Sequence, residues 1–167
     1  MIASSARPLR IVQVSDCHVP QDPRTPYRGL SADRNLVSLL PAMRHWQPDL
    51  ILLTGDVSED GSPASYGRVS ARLNTVGAPV LALPGNHDDP EVMQRFFPVG
   101  PWNGPHQQKE RNWQLVLLDS TVTGEVSGEV TLQALKHLDE LLRESTASHT
   151  LVALHHQPVP MNAEWID

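Results

Sequence analysis

Asp16-Cys17-His18, Gly55-Asp56, Gly85-Asn86-His87-Asp88 and His155-His156 are the stretches of this 167-residue sequence whose residue types can do chemistry. Taken singly, the first two are ordinary turn openings, and a His pair can be one core and one solvated imidazole. Gly85-Asn86-His87-Asp88 is more specific. A turn that only reverses the chain needs Gly, Asn or Asp, and has no use for an imidazole. Together Asp, His, Asp, Asn and His form a mixed oxygen and nitrogen donor set without thiolate. Such a set suits Mn, Fe, Zn or Co better than a structural, Cys-rich zinc site. A carboxylate with two oxygens, such as Asp56, can bridge two cations. Two metals about 3.5–4 Å apart can clamp the attacking and leaving oxygens of an in-line phosphoryl displacement, and a water between them is acidic enough to attack as hydroxide near neutral pH. His87 adjoins Asn86 but is expected to point elsewhere, where it can bond to a phosphate and protonate a leaving alkoxide.

The elements around these residues explain why they would meet. Five apolar runs read as strands: 9–15, 49–54, 79–83, 112–118 and 150–154. Four of them deliver a candidate cluster at their carboxyl ends. The fourth, 112–118, ends at Asp119-Ser120, read as a loop tie. Between the strands lie helical patterns. Ser31 caps one with Leu36, Leu39, Leu40, Met43 and Trp46 inward, which Pro41 should kink or split. Ser62-Pro63 starts a second, Asp89-Pro90 a short third, and 131–144 carries the clearest leucine face. Residues 20–30 and 98–111 read as loops that line the site. Strand and helix alternate, which favours parallel or mostly parallel strands with helices across them, and ligands then collect beyond the carboxyl ends of the strands. Asp16 and His18 are expected on one side because alternate strand residues face the same way. Cys17 should then face the packed side. Asp88, Asp89 and Asp119 read as loop ties, with Asp88 also placed to orient His87.

Composition narrows the partners. The net charge is -6, with 13 Lys+Arg against 19 Asp+Glu and no basic run, which gives no reason to expect nucleic acid. An acidic protein still binds phosphate when cations supply the positive charge. A single cysteine excludes an intrachain disulfide, and no stretch is long enough to span a bilayer. The expectation is a single domain over residues 1–167, in the cytoplasm, with no nucleic-acid or membrane partner.

As a set, Asp16-x-His18, Gly55-Asp56, Gly85-Asn86-His87-Asp88 and His155-His156-x-Pro158 resemble the calcineurin-like metallophosphoesterases. Val14-Ser15-Asp16-Cys17-His18, Leu53-Thr54-Gly55-Asp56, Leu115 to Ser120, Gly128-Glu129 and His155 to Pro160 followed by Glu164 to Asp167 are similar to the class III cyclic-nucleotide phosphodiesterases of bacteria. The resemblance implies an α/β fold, a sandwich of two β-sheets flanked by helices. It also implies hydrolysis of 3′,5′-cyclic AMP to 5′-AMP by a metal-bridging hydroxide. It implies two divalent cations, Mn, Fe, Zn or Co. One would be held by Asp16, His18 and the bridging Asp56, the other by Asp56, Asn86 and His155, with His87 as the acid. His155 is chosen over His156 because it ends the apolar run.

The family pattern also has a downstream Gly-His-x-His motif and further strands of the second sheet, and this sequence ends at Asp167 without them. The expected fold is therefore a sandwich incomplete at its C-terminus. It should expose apolar sheet surface and self-associate, or take the rest from a second chain. The remaining histidines, His45, His106, His137 and His149, read as surface residues. The rival readings are a non-catalytic remnant acting as an interaction domain, and a phosphodiesterase for another phosphoester.

Overall fold

The computed structural model describes residues 8–97, 106–110 and 112–163. Strands β1 (Ile11–Val14), β2 (Leu50–Thr54) and β3 (Val80–Leu83) form a parallel sheet in the order β1-β2-β3. All five residues of the central strand β2 are buried. That is why its sequence is a continuous apolar run and not an alternation. Successive side chains point to opposite faces. Ile51 and Leu53 join Leu36, Leu40, Met43, Tyr66 and Val69 in a core beneath the helices, whereas Leu50 and Leu52 meet Leu115 and Leu117 of a second sheet.

Helix α1 (Ala32–Trp46) is capped by Ser31, whose hydroxyl accepts from the Arg34 amide, and α2 (Pro63–Asn74) by Ser62, with Pro63 in its first turn. The break anticipated at Pro41 is absent. Pro41 lies on the exposed side, where water can satisfy the carbonyl that the missing amide leaves free. Leu39 and Trp46 also turn outward from the anticipated stripe, and Trp46 lies beneath the Arg10 guanidinium, 5.8 Å from its ring centroid. The short helix α3 (Pro90–Met93) is capped by Asp89.

In the second sheet, β4 (His106–Glu110) runs antiparallel to β5 (Trp113–Leu117), and β5 runs parallel to β6 (His149–Ala153). The strand at 106–110 corrects the expectation of an irregular loop over 98–111. His-Gln-Gln-Lys-Glu carries no apolar pattern, so the strand is set by backbone pairing to its apolar neighbour and not by its own residues. The rest of that expected loop, 98–105 and 111, lies outside the described residues, as does 164–167. Helix α4 (Leu132–Arg143), capped by Thr131, falls within the helix expected over 131–144, yet none of its residues is buried. Among the described residues no helix is long and apolar enough to cross a membrane.

Candidate metal centre

The candidate residues sit just beyond the carboxyl ends of β1, β2, β3 and β6. The first two loops are zipped together by backbone bonds. The amides of Asp16, His18 and Val19 donate to the carbonyls of Gly55, Asp56 and Val57 at 3.1, 2.9 and 3.1 Å. Asp88 fastens the third loop to the second, accepting from the amides of Gly85, Val57 and Ser58 and from the Tyr66 hydroxyl at 2.9–3.1 Å. Asp16, His18 and Asp56 all have left-handed backbone, with φ of 54°, 44° and 48°. Asp16 and His18 therefore do not meet through strand alternation, as the sequence suggested. A left-handed turn swings both side chains into one space. Non-glycine residues held there carry strain, and such strain persists where surrounding contacts over-determine the loop. The two glycines are steric necessities. A Cβ on Gly55 would strike the His155 ring, and one on Gly85 would strike the Asp56 carboxylate.

The side chains converge on Asp56. Its Oδ2 lies 3.6 Å from Nε2 of His18 and 3.6 Å from Nε2 of His155. Its Oδ1 accepts the His87 amide at 3.0 Å. Asp16 Oδ1 is 3.9 Å from His18 Nε2. Two groups result, His18–Asp56–His87 and Asp16–Asp56–His155, each with donor atoms within 4.8 Å of one another. The far nitrogens of the imidazoles are already committed. His18 Nδ1 faces Glu59 Oε2 at 2.9 Å, and His155 Nδ1 faces the Thr54 carbonyl at 2.9 Å. A carboxylate and a carbonyl only accept, so each Nδ1 carries the proton and each Nε2 is the nitrogen turned to the centre. The carboxylates and imidazoles gathered around Asp56 therefore fit divalent cations, although these two groups are not the sets Asp16–His18–Asp56 and Asp56–Asn86–His155 expected from the sequence.

Electrostatics agree with that fit. Burial works against a charge on Asp56, but bonds from His155 and from the His87 amide, with the imidazoles nearby, outweigh it and hold the carboxyl below its ordinary value. Burial also opposes a charge on His155, yet its bonds to Asp56 and the Thr54 carbonyl raise it to about 9. Without a cation the pair keeps a proton where a cation would sit.

His87 stands at the rim, its side chain 36% exposed, with Nδ1 3.2 Å from the Glu59 carbonyl and 3.3 Å from its carboxylate. Asp88 does not orient it. Four donors from the loops and Tyr66 occupy the Asp88 carboxylate, and Glu59 takes the position beside His87. Glu59 is the residue the sequence reading missed. It follows Gly55-Asp56 by three positions in an acidic run, and nothing local separates it from Asp60. Asn86 lines the cavity beside this group. His156 is held apart, with Nδ1 2.8 Å from the Ser120 hydroxyl and Nε2 3.1 Å from the Val126 carbonyl. Cys17 packs against the helix-side core, and burial pushes its thiol up to about 12.

Asp16, His18, Asp56, Asn86, His87, His155 and His156 open into one cavity of about 1000 Å³. From the loop at 20–30, only Tyr27 and Arg28 reach it; Gly124 to Gly128 and Gln157 also line it. Tyr27 stacks on His18, ring centroids 4.1 Å apart.

A family model described as calcineurin-like phosphoesterase matches residues 9–167. The chain belongs to the calcineurin-like phosphoesterases. A probable cyclic nucleotide phosphodiesterase of a Synechococcus strain is 35% identical to it over 165 residues, covering 99% of this chain and 64% of that protein. The 3′,5′-cyclic adenosine monophosphate phosphodiesterase CpdA of Escherichia coli K12 is 33% identical over 169 residues, covering 99% of this chain and 61% of its own. The chain thus spans about three fifths of the length of the curated relatives it matches. Among solved structures, a dimetal phosphatase from Danio rerio superposes with a TM-score of 0.68 at 14% identity, covering 92% of this chain and 71% of that one. TT1561 of Thermus thermophilus gives 0.61 at 15% identity, with the same coverage, 92% and 71%. These establish the metallophosphoesterase-type α/β fold that the motifs implied.

Proposed function

We propose that this chain carries the metal-binding and proton-donating part of a phosphodiesterase, with 3′,5′-cyclic AMP as substrate and 5′-AMP as product. The observation that carries the reading is Asp56 Oδ2, 3.6 Å from two imidazole Nε2 atoms whose other nitrogens are both committed. A lone structural carboxylate has no need of two such partners. The named activities of the relatives supply the substrate class. Asp16, His18 and Asp56 would hold one cation, and Asp56, Asn86 and His155 the other, in one domain spanning the chain. Mn, Fe, Zn and Co all suit this donor set. When bound, the pair supplies Lewis acidity toward the phosphate and lowers the pKa of a water.

The chain's own groups do the rest. As a water oxygen bonds to phosphorus, the phosphorus–O3′ bond breaks and O3′ departs with its electron pair and needs a proton. His87 at the rim is the group that gives it: the Glu59 carbonyl and carboxylate hold Nδ1–H, so the step uses the imidazolium, whose Nε2–H is the proton donated. Glu59 fixes His18 through the same carboxylate, so donor and ligand share one anchor.

The test is hydrolysis of cyclic AMP by the Mn²⁺-loaded chain, beside Asp56→Asn and His87→Ala. Metal-dependent turnover lost in Asp56→Asn supports the reading. In His87→Ala, turnover should drop by roughly 10²–10⁴ while the metal stays bound. No turnover and no stoichiometric metal in the wild type would instead make the chain a non-catalytic remnant.

A further inference from the structure

We infer that Arg28 is a specificity-determining residue that contacts the nucleobase of a cyclic nucleotide, and not its phosphate. This rests on the phosphodiesterase reading above and names the part of the substrate that reading leaves unassigned.

Tyr27 and Leu30 exchange both backbone bonds at 2.9 Å, so Arg28 and Gly29 form a two-residue hairpin turn. Both have left-handed backbone, φ 47° and 80°. Turns of this kind favour Asn-Gly or Asp-Gly, because short polar side chains tolerate the left-handed region and long ones gain nothing there. An arginine at the first position is a poor choice for reversing the chain, and the turn stands at the mouth of the cavity. Of the described residues lining that cavity, Arg28 is the single Lys or Arg, among carboxylates, imidazoles, the amides of Asn86 and Gln157, and the Tyr27 and Ser127 side chains.

Its guanidinium is also placed. It lies over the Tyr27 ring, 5.3 Å from the centroid. That ring is also stacked on His18, at 4.1 Å and 12° between planes. Arg28 is thus set one aromatic ring outward from a candidate metal ligand, beyond the shell that would hold the phosphate. A diester phosphate carries one negative charge, which two divalent cations already more than balance. What remains to be recognised is planar, uncharged and rich in acceptors. A guanidinium can stack on such a heterocycle and donate in-plane hydrogen bonds to its edge. The space agrees. The cavity of about 1000 Å³ far exceeds a phosphate, and a second cavity of about 250 Å³, lined by Cys17, Leu30, Leu36 and Leu39, lies behind the same turn.

The experiment compares wild type and Arg28→Asn, both Mn²⁺-loaded, on cyclic AMP and on its abasic analogue, 1-deoxyribose 3′,5′-cyclic phosphate. Asn-Gly suits the turn, so the variant should melt no lower than wild type. The expected result is a KM for cyclic AMP raised about tenfold with kcat changed less than about twofold, and equal kinetics on the abasic analogue. Arg28→Lys should not restore the KM, since an ammonium has no planar face. Equal losses on both substrates would assign Arg28 to the phosphate or to structure, and overturn the inference. So would unchanged kinetics on cyclic AMP. If wild type hydrolyses neither substrate, the phosphodiesterase reading itself fails and this inference falls with it. Turnover by wild type without discrimination by Arg28→Asn removes only the inference.

Discussion

The two sheets of this molecule are furnished very differently. The sheet β1-β2-β3 has a helix-covered face, a central strand buried end to end, and three loops bound to one another by backbone bonds and by Asp88. It supplies Asp16, His18, Asp56, Asn86 and His87. The sheet β4-β5-β6 touches the centre through His155, which bonds to the Thr54 carbonyl 101 residues away in sequence, and it is held to the first sheet by Leu115 and Leu117. Its helix α4 has no buried residue of its own, with Leu132 78% and Leu135 45% exposed, although it lies over buried Gln114, whose Nε2 donates to the Leu141 carbonyl. One part of the candidate centre is thus a tightly bonded local unit, whereas His155 arrives from the second sheet. The Asp56 carboxylate is where the two meet.

This contrast can be broken by substitution. Leu53→Ala, under the helices, should lower stability by about 2–5 kcal/mol in urea unfolding, since a large side chain leaves a cavity in a packed core. Gly55→Ala acts at the seam, with φ 91° and the His155 ring against the new methyl group. It should cost on the order of 1–3 kcal/mol, and it should push His155 off Asp56, reducing bound metal measured by elemental analysis. The pH dependence reads the same seam without a mutation. In chelated protein His155 is raised to about 9 from an ordinary 6.5, so its stabilising contribution is complete below the unfolded value and is lost as pH rises through 9. The melting temperature of the metal-free protein should therefore fall between about pH 6.5 and 9, and metal affinity should rise over that window as the proton leaves. The smallest effect belongs to the second half. Leu135→Ala on α4 should change stability by less than about 0.5 kcal/mol. A loss as large as that of Leu53→Ala would mean that α4 is covered in solution, and would abolish the contrast.

Much of the first half was legible. β2 declares itself as an unbroken apolar run, Ser31, Ser62, Asp89 and Thr131 each cap the helix that the pattern predicted, and each candidate cluster follows its strand. β4 was not legible, because its residues are polar and the pairing comes from β5. The outward turn of Leu39 and Trp46 and the exposure of Leu132 and Leu135 on α4 were equally hidden, because helical spacing shows which residues share a face and not how deeply it is covered. Glu59 and Tyr27 escaped because neither has a motif. Their roles come only from what stands opposite them, His18 and His87 for the one, His18 for the other.

The residue order alone settled which donor types sit at which strand ends, since side-chain chemistry and strand propensity are local properties. It could not settle that Asp16 and His18 meet through left-handed backbone, that one oxygen of Asp56 faces two imidazoles, or that His155 enters while His156 turns to Ser120. Those facts depend on backbone bonds between loops some forty residues apart and on the packing of one sheet against another. No short stretch of sequence encodes a distance of that kind.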